Sequence, residues 1–143
     1  MGKKRIVKNE GETGGTKSEG GAKESKKKRL EAGILHVEST YNNTKLLLTD
    51  KKGNVYLASS SGKLGFKGAK KGTPFAAAKV GETLGAEAYD MGVKEVSVVV
   101  KGVGSGRESA IRGFISKGAS ITSIKDTTPV PHNGPKPKKP RRV

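Results

Sequence analysis

The sequence predicts an α/β domain in which helices pack on a mixed five-stranded sheet, with the elements in the order βββαβαβ. Three observations lead to this fold class. Short β-rich runs separated by Asn- and Gly-containing turns open the core, two later segments have the apolar period and end signals of helices, and a valine-rich run lies between them. A meander followed by alternating helices and strands is typical of helices covering a sheet.

The first three strands are predicted at AGILHVES, TKLLLT and VYLAS. In the first run, Leu35 and Val37 alternate with Ile34 and His36, which is the period of a strand with two different faces. The loop Thr40–Asn43 and the turn DKKGN connect the three runs. Such short connections favour an antiparallel meander.

The first helix is predicted to begin after Thr73, which can cap it, with Pro74 in the first helical position and Gly92 at its end. Gly81 and Gly85 should each weaken it by about 1 kcal/mol relative to alanine. Close packing of the helix on the sheet is the expected reason for these two glycines. One apolar face recurs at spacings of three and four, through Ala77, Val80, Leu84, Ala88 and Met91.

A strand, a helix and a last strand complete the core. VSVVV, at 96–100, is apolar at both alternating positions, which predicts a central strand covered on both faces. The second helix is predicted at about 107–117, with Ser105 and Glu108 spaced as a capping box and Gly118 as its stop. ITSIKD supplies the last strand.

Composition excludes several classes of protein. The absence of cysteine excludes disulfide frameworks, Cys-ligated zinc and thiol catalysis, and with only His36 and His132 a site built on several histidines is excluded too. No apolar run approaches the ~18 residues of a membrane span. With 29 Lys and Arg against 13 Asp and Glu, the net charge is +16. We therefore expect a soluble, intracellular protein with a polyanionic partner, either nucleic acid or an anionic membrane face.

Charge and complexity divide the chain into three parts. Residues 1–31 hold ten Lys or Arg and five Glu among many glycines, and such a low-complexity extension is expected to be disordered. Residues 32–127 are the predicted α/β core. Residues 128–143 are predicted to form an extended, basic, Pro-rich tail, because proline cannot continue a helix or a central strand.

Glycines and basic residues lead into the second helix in KGVGSGRESAIR. Three glycines between a buried strand and a helix let backbone N–H groups approach a phosphate, and a helix N-terminus favours an anion. The dinucleotide fingerprint is not met, because Arg107 stands three residues after Gly104, where that motif has glycine. Contact with a phosphate backbone is the favoured interpretation, and a tight turn without a ligand is the alternative.

Residues 60–72 are predicted to form a glycine-rich loop with lysines at 63, 67, 70 and 71. Surface lysines are commonly only solvated, but on this strongly basic chain the loop is flanked by two more basic regions, which favours nucleic-acid contact. Phe66, in the middle of the loop, is a candidate to stack on an unpaired base, and packing on the sheet is its alternative role.

An enzymatic function is the alternative hypothesis. The strand and helix order is also that of ribonuclease H-like nucleases, which bind two metal ions through clustered carboxylates. Glu38, Asp50 and Asp126 are the candidates, but they are few and follow strand ends or turns. A metal-dependent ribonuclease H-like nuclease is therefore the second hypothesis, and a free-standing RNA chaperone or regulator is a third.

Four runs in matching order and spacing resemble the family of the eleventh small-subunit ribosomal protein in its bacterial form: HVESTYNNTKLLLTDKKGN, GFKGAKKGTPFAAA, VVVKGVGSGRESAIR and IKDTTPVPHNGPKPKKPRRV. The resemblance covers about residues 32–143. It implies a structural protein of the cytoplasmic ribosome, bound to 16S rRNA on the subunit platform and bridging several rRNA helices. It also implies a position beside the mRNA (Shine–Dalgarno) cleft, with the seventh and eighteenth small-subunit proteins as neighbours, and no cofactor, metal, membrane or small-molecule substrate.

The same resemblance places RNA contacts on four segments and shows two departures. Val103 and Ser105 stand where the family usually has prolines, which predicts a more flexible turn, and Pro135 and Lys136 stand where it usually has cysteine and arginine. The His-Asn-Gly segment is a place of isoaspartate formation in related proteins, so Asn133 is a modification candidate, with a simple turn as its alternative role. The predicted RNA-binding residues are Asn42, Asn43, Lys63, Phe66, Lys67, Lys70, Lys71, Lys101, Gly104, Gly106, Arg107, Arg112, His132, Asn133, Lys136, Lys138, Lys139, Arg141 and Arg142.

Overall fold

The computed structural model describes residues 29–142. Most of the predicted N-terminal extension, residues 1–28, lies outside the described residues. The strands are β1 Ala32–Ser39, β2 Thr44–Thr49, β3 Val55–Ser60, β4 Glu95–Lys101 and β5 Ser120–Asp126, and the helices are α1 Pro74–Asp90 and α2 Arg107–Ile115, with a short 3₁₀ helix at Gly68–Gly72. Within residues 29–142, no helix is long and apolar enough to cross a membrane.

The strands form one mixed five-stranded sheet, which confirms the predicted fold class. Their spatial order is β3-β2-β1-β4-β5. The first three strands form the predicted antiparallel meander, and β4 pairs parallel with both β1 and β5. The fold begins slightly before β1, because Leu30 packs into the core and the carbonyl of Glu31 accepts a hydrogen bond from the N–H of Lys94 at 2.9 Å.

Both helices lie on one face of the sheet. Alternate residues of the central strands are buried beneath them, while the other face holds half-buried side chains such as His36 and Val99. The prediction that β4 is covered on both faces is therefore wrong, because α1 and α2 pack side by side instead of on opposite faces. The core is formed largely by Leu35, Val37, Leu46, Leu48, Val80, Leu84, Val96, Val98, Val100 and Phe114.

Three glycines allow α1 and α2 to approach closely. A Cβ atom at Gly81 would lie 2.2 Å from the carbonyl oxygen of Ala110, and one at Gly113 would lie 2.4 Å from that of Ala78. At Gly85, a Cβ atom would lie 2.8 Å from the carbonyl oxygen of Phe114. The expectation that Gly81 and Gly85 pack on the sheet is thus wrong, since each lies against the backbone of α2.

The two helices begin differently. In α1, Pro74 takes the first position and the hydroxyl of Thr73 accepts a hydrogen bond from the N–H of Ala76 at 3.3 Å, as predicted. In α2, Gly106 is the N-terminal flanking residue and no side chain caps the helix. The predicted capping box is wrong, because the hydroxyl of Ser105 donates to the carbonyl of Gly72 instead, at 2.9 Å.

Candidate nucleic-acid interface

Several loops that carry predicted contact residues meet at one edge of the sheet. The strand directions place the C-terminal ends of β1, β3, β4 and β5 there, together with the start of β2. The N-termini of α1 and α2 follow at the same edge. We call residues 40–43, 61–73, 101–106 and 127–128 the loop edge. Two helix N-termini contribute partial positive charge to it, which favours anions.

Three glycines bring these loops into contact. A Cβ atom at Gly72 would lie 2.1 Å from the carbonyl oxygen of Tyr41, and one at Gly104 would lie 2.3 Å from the Ser39 hydroxyl. The N–H of Gly104 donates to the carbonyl of Ser39 at 3.0 Å. Gly104 and Gly106 are buried. Their close contacts with Ser39, Thr40 and Thr44 shape the loop edge, and their contact with RNA stays a prediction.

Side-chain hydrogen bonds hold the same loops. The hydroxyl of Thr40 accepts from the N–H groups of Asn42 and Asn43, at 3.4 and 3.2 Å, within the loop after β1. Asn42 is exposed and Asn43 is half-buried. Ser105 connects the turn after β4 to Gly72, 33 residues earlier in the chain. This hydrogen bond ties the turn to the neighbouring loop, and a turn more flexible than in proline-containing relatives stays a prediction.

The loop 61–73 supplies the densest positive charge of the loop edge. Lys67 and Lys70 are exposed, and Lys71 is half-buried. The ammonium of Lys63 donates to the carbonyl of Ala58 at 2.9 Å, which fixes its side chain against β3. The sequence from 60 to 75 contains no Asp or Glu. This segment therefore carries positive charge without an acidic residue of its own.

The C-terminal tail leaves the core at the loop edge. Asp126 accepts hydrogen bonds from the guanidinium of Arg107 and from the Thr128 hydroxyl and N–H, the latter two at 2.6 and 2.9 Å. These hydrogen bonds lower the pKa of Asp126 to about 2, and the two from Thr128 contribute more than the one from Arg107. The N–H of Gly102 donates to the Thr128 hydroxyl at 3.2 Å, and that of Thr127 donates to the carbonyl of Val100 at 2.9 Å. These contacts fix the point where the tail begins.

The other predicted contact residues are spread around this edge. Lys101 is exposed on the open face of the sheet, beside a shallow cleft of about 190 Å³ that His36 and Val99 also line. Arg112 lies further along α2, with its side chain 81% exposed and 3.5 Å from Glu108. The tail contains no helix or strand up to residue 142, and it exposes His132, Asn133, Lys136, Lys138, Lys139, Arg141 and Arg142.

The carboxylates considered for a nuclease are not brought together. Asp50 lies in the turn between β2 and β3, at the opposite edge of the sheet, and accepts hydrogen bonds from the N–H groups of Lys52 and Asn54 at 2.8 and 2.9 Å. Asp126 is engaged by Arg107. Among the residues that the structure describes, no group of three or more His, Cys, Asp or Glu side chains could hold a metal ion.

Sequence reasoning missed an aromatic pair at the loop edge. Phe75, in the first turn of α1, is 64% exposed, and its ring lies 6.2 Å from that of Phe66 at an interplanar angle of 84°. The ammonium of Lys79 lies 5.6 Å from the centre of the Phe75 ring. The available signal was the position of Phe75 outside the apolar period of the helix.

The sequence matches the model of a known protein family. The family model described as Ribosomal protein S11 matches residues 33–142. The match spans well over half of the 143 residues and includes the whole sheet after Ala32, both helices and the tail to residue 142. The chain belongs to the ribosomal protein S11 family, whose members are structural, RNA-binding proteins of the small ribosomal subunit and not enzymes.

Proposed function

We propose that this protein binds 16S rRNA through its loop edge and its C-terminal tail, and that it bridges rRNA helices on the platform of the small subunit. The observation that carries the proposal is the convergence of three loops, two helix N-termini and the start of a basic tail on one edge of the sheet. Phosphates are attracted by both the lysines and the helix N-termini there. The loop edge would contact one RNA helix and the tail another, so that the protein bridges the two.

The family resemblance supports a more specific setting. We propose that the protein lines the cleft where mRNA pairs with the 3′ end of 16S rRNA, and that the seventh and eighteenth small-subunit proteins are its neighbours. The tail supports this position, since an exposed chain with five cations from Lys136 to Arg142 can reach RNA beyond the core. Such basic segments become ordered when RNA surrounds them.

Replacing three lysines of the loop edge tests the proposed surface. The variant K67Q/K70Q/K71Q should bind 16S rRNA more weakly, and the slope of log K against log [salt] should fall by about 0.7–0.9 for each phosphate that is no longer bound. The matched control K51Q/K52Q/K94Q removes the same charge from the opposite edge and should bind like the wild type. RNA affinity is measured by filter binding. An equal drop in affinity for the two variants would show that binding depends only on net charge, and it would contradict the proposed surface.

We also propose Asn133 as a site of partial conversion to isoaspartate. It lies in the exposed tail, adopts a φ of +52°, and precedes Gly134, which has no side chain to hinder attack of its backbone nitrogen on the asparagine amide. Succinimide formation releases ammonia, and hydrolysis of the ring adds one negative charge and a backbone methylene. Peptide mapping of protein from assembled subunits should detect isoaspartyl peptide at this position. Wholly intact Asn133 would leave it as a turn residue only.

A further inference from the structure

We propose that the Phe75 ring is a stacking platform for one unpaired nucleobase of the bound RNA. This inference rests on the proposed function and adds a base-binding site to the phosphate contacts of the loop edge. Phe75 lies outside the buried face of α1, which is formed by its neighbours Ala76, Ala77 and Val80. Phe75 is 64% exposed, so packing of the core does not account for this residue.

A single exposed phenylalanine is ordinary in a soluble protein, but Phe75 is held by two neighbours. The rings of Phe66 and Phe75 meet in an edge-to-face arrangement, with centroids 6.2 Å apart. Phe66 is itself half-buried, and its N–H donates to the carbonyl of Ser61 at 3.3 Å. Phe66, which the sequence indicated for stacking, is therefore the support, and the exposed Phe75 is the surface offered to a ligand.

The charge around the ring identifies the class of ligand. The ammonium of Lys79 lies over the Phe75 ring, 5.6 Å from its centre, and Lys67, Lys70 and Lys71 belong to the loop that leads into α1. Among the residues that the structure describes, the Lys79 ammonium pairs with the carboxylate of Glu82, at 3.2 Å. An apolar protein surface would gain little from these cations. An RNA strand matches both features, because its phosphates meet the lysines while an unstacked base lies on the ring.

The test compares four variants with the wild type in binding to 16S rRNA at several salt concentrations. Phe75→Ala should weaken binding about 5- to 150-fold, the effect typical of removing one base–aromatic stack. Its salt slope should not change, because the phosphates that the lysines bind are unaffected. Phe75→Leu keeps an apolar side chain without a π-face and should weaken binding as much as alanine does. Phe75→Trp should retain wild-type affinity.

The control is Tyr89→Ala, which removes an aromatic ring that is 67% exposed at the other end of the same helix and should bind like the wild type. The protein has no tryptophan, so the fluorescence of the Phe75→Trp variant reports on this site alone and should be quenched when RNA binds. Wild-type affinity in Phe75→Leu, a reduced salt slope in Phe75→Ala, or unchanged tryptophan fluorescence would each overturn the stacking site while leaving the RNA-binding function intact. Failure of the wild type itself to bind would overturn the proposed function.

Discussion

Alanine at position 81 should lower the free energy of unfolding by about 1–3 kcal/mol, although alanine is the better helix former. The new Cβ atom would lie 2.2 Å from the carbonyl oxygen of Ala110 and 2.9 Å from the backbone nitrogen of Phe114. Both atoms belong to the backbone of α2, so no side-chain rotation can relieve the overlap. The two helices would have to separate, which loosens the packing of Val80 and Leu84 in the core.

Chemical denaturation of the Gly81→Ala variant measures this destabilisation. The matched control is Thr83→Ala, an exposed position two residues further along α1, where the change should stay within about 0.5 kcal/mol. A Gly81→Ala variant as stable as the wild type would mean that α1 and α2 do not approach as closely as the structure has them.

Removal of residues 136–143 should produce the largest change in RNA affinity. The deletion takes away five cations, Lys136, Lys138, Lys139, Arg141 and Arg142. If each cation binds a phosphate, the slope of log K against log [salt] falls by about 3.5–4.5 in total. The effect should therefore be greatest at low salt and shrink as the salt concentration rises.

The core supplies the control for this deletion. Of the deleted residues, 136–142 are exposed and lie beyond the hydrogen bonds that Asp126 and Thr128 make at the end of β5. The midpoint of thermal unfolding should therefore stay at the wild-type value while RNA affinity falls. An unchanged salt slope would contradict a phosphate-binding role for the tail.

The elements that the sequence predicted correctly depend on local signals. The cap at Thr73, the proline at the start of α1 and the glycine after its end act within a few residues of the chain. Alternation in β1 and the short turns after it define the meander without knowledge of the remaining fold. The predicted local structures are present in the folded protein because no contact with a distant residue replaces them.

The errors concern contacts between residues distant in sequence. Ser105 has the spacing of a capping residue, but its hydroxyl finds the carbonyl of Gly72, which only folding brings near. Gly81 was expected to pack on the sheet and lies on α2, since a helix sequence does not identify which neighbour its small residues face. Valine at both faces of β4 suggested two covering layers, yet Val99 remains half-buried on the open face.

For the candidate site too, local features could be predicted from the sequence and contacts between distant residues could not. The lysine loop could be predicted, because clustered lysines and glycines without acidic residues are visible in sequence. The hydrogen bonds of Asp126 with Arg107 and Thr128 could not, because they join the end of β5 to the start of α2. Phe75 was missed because its exposure follows from how α1 lies on the sheet.

Ultraviolet cross-linking in salt-washed small subunits tests the central claim most directly. The protein that these subunits retain in a 1:1 ratio is digested, and the peptides cross-linked to rRNA are identified by mass spectrometry. If the loop edge and the tail bind RNA, cross-links to 16S rRNA are expected within residues 40–43, 61–75, 101–107 and 128–142. Cross-links confined to the opposite edge, in the turn 50–54 or in the segment 116–119 after α2, would contradict it.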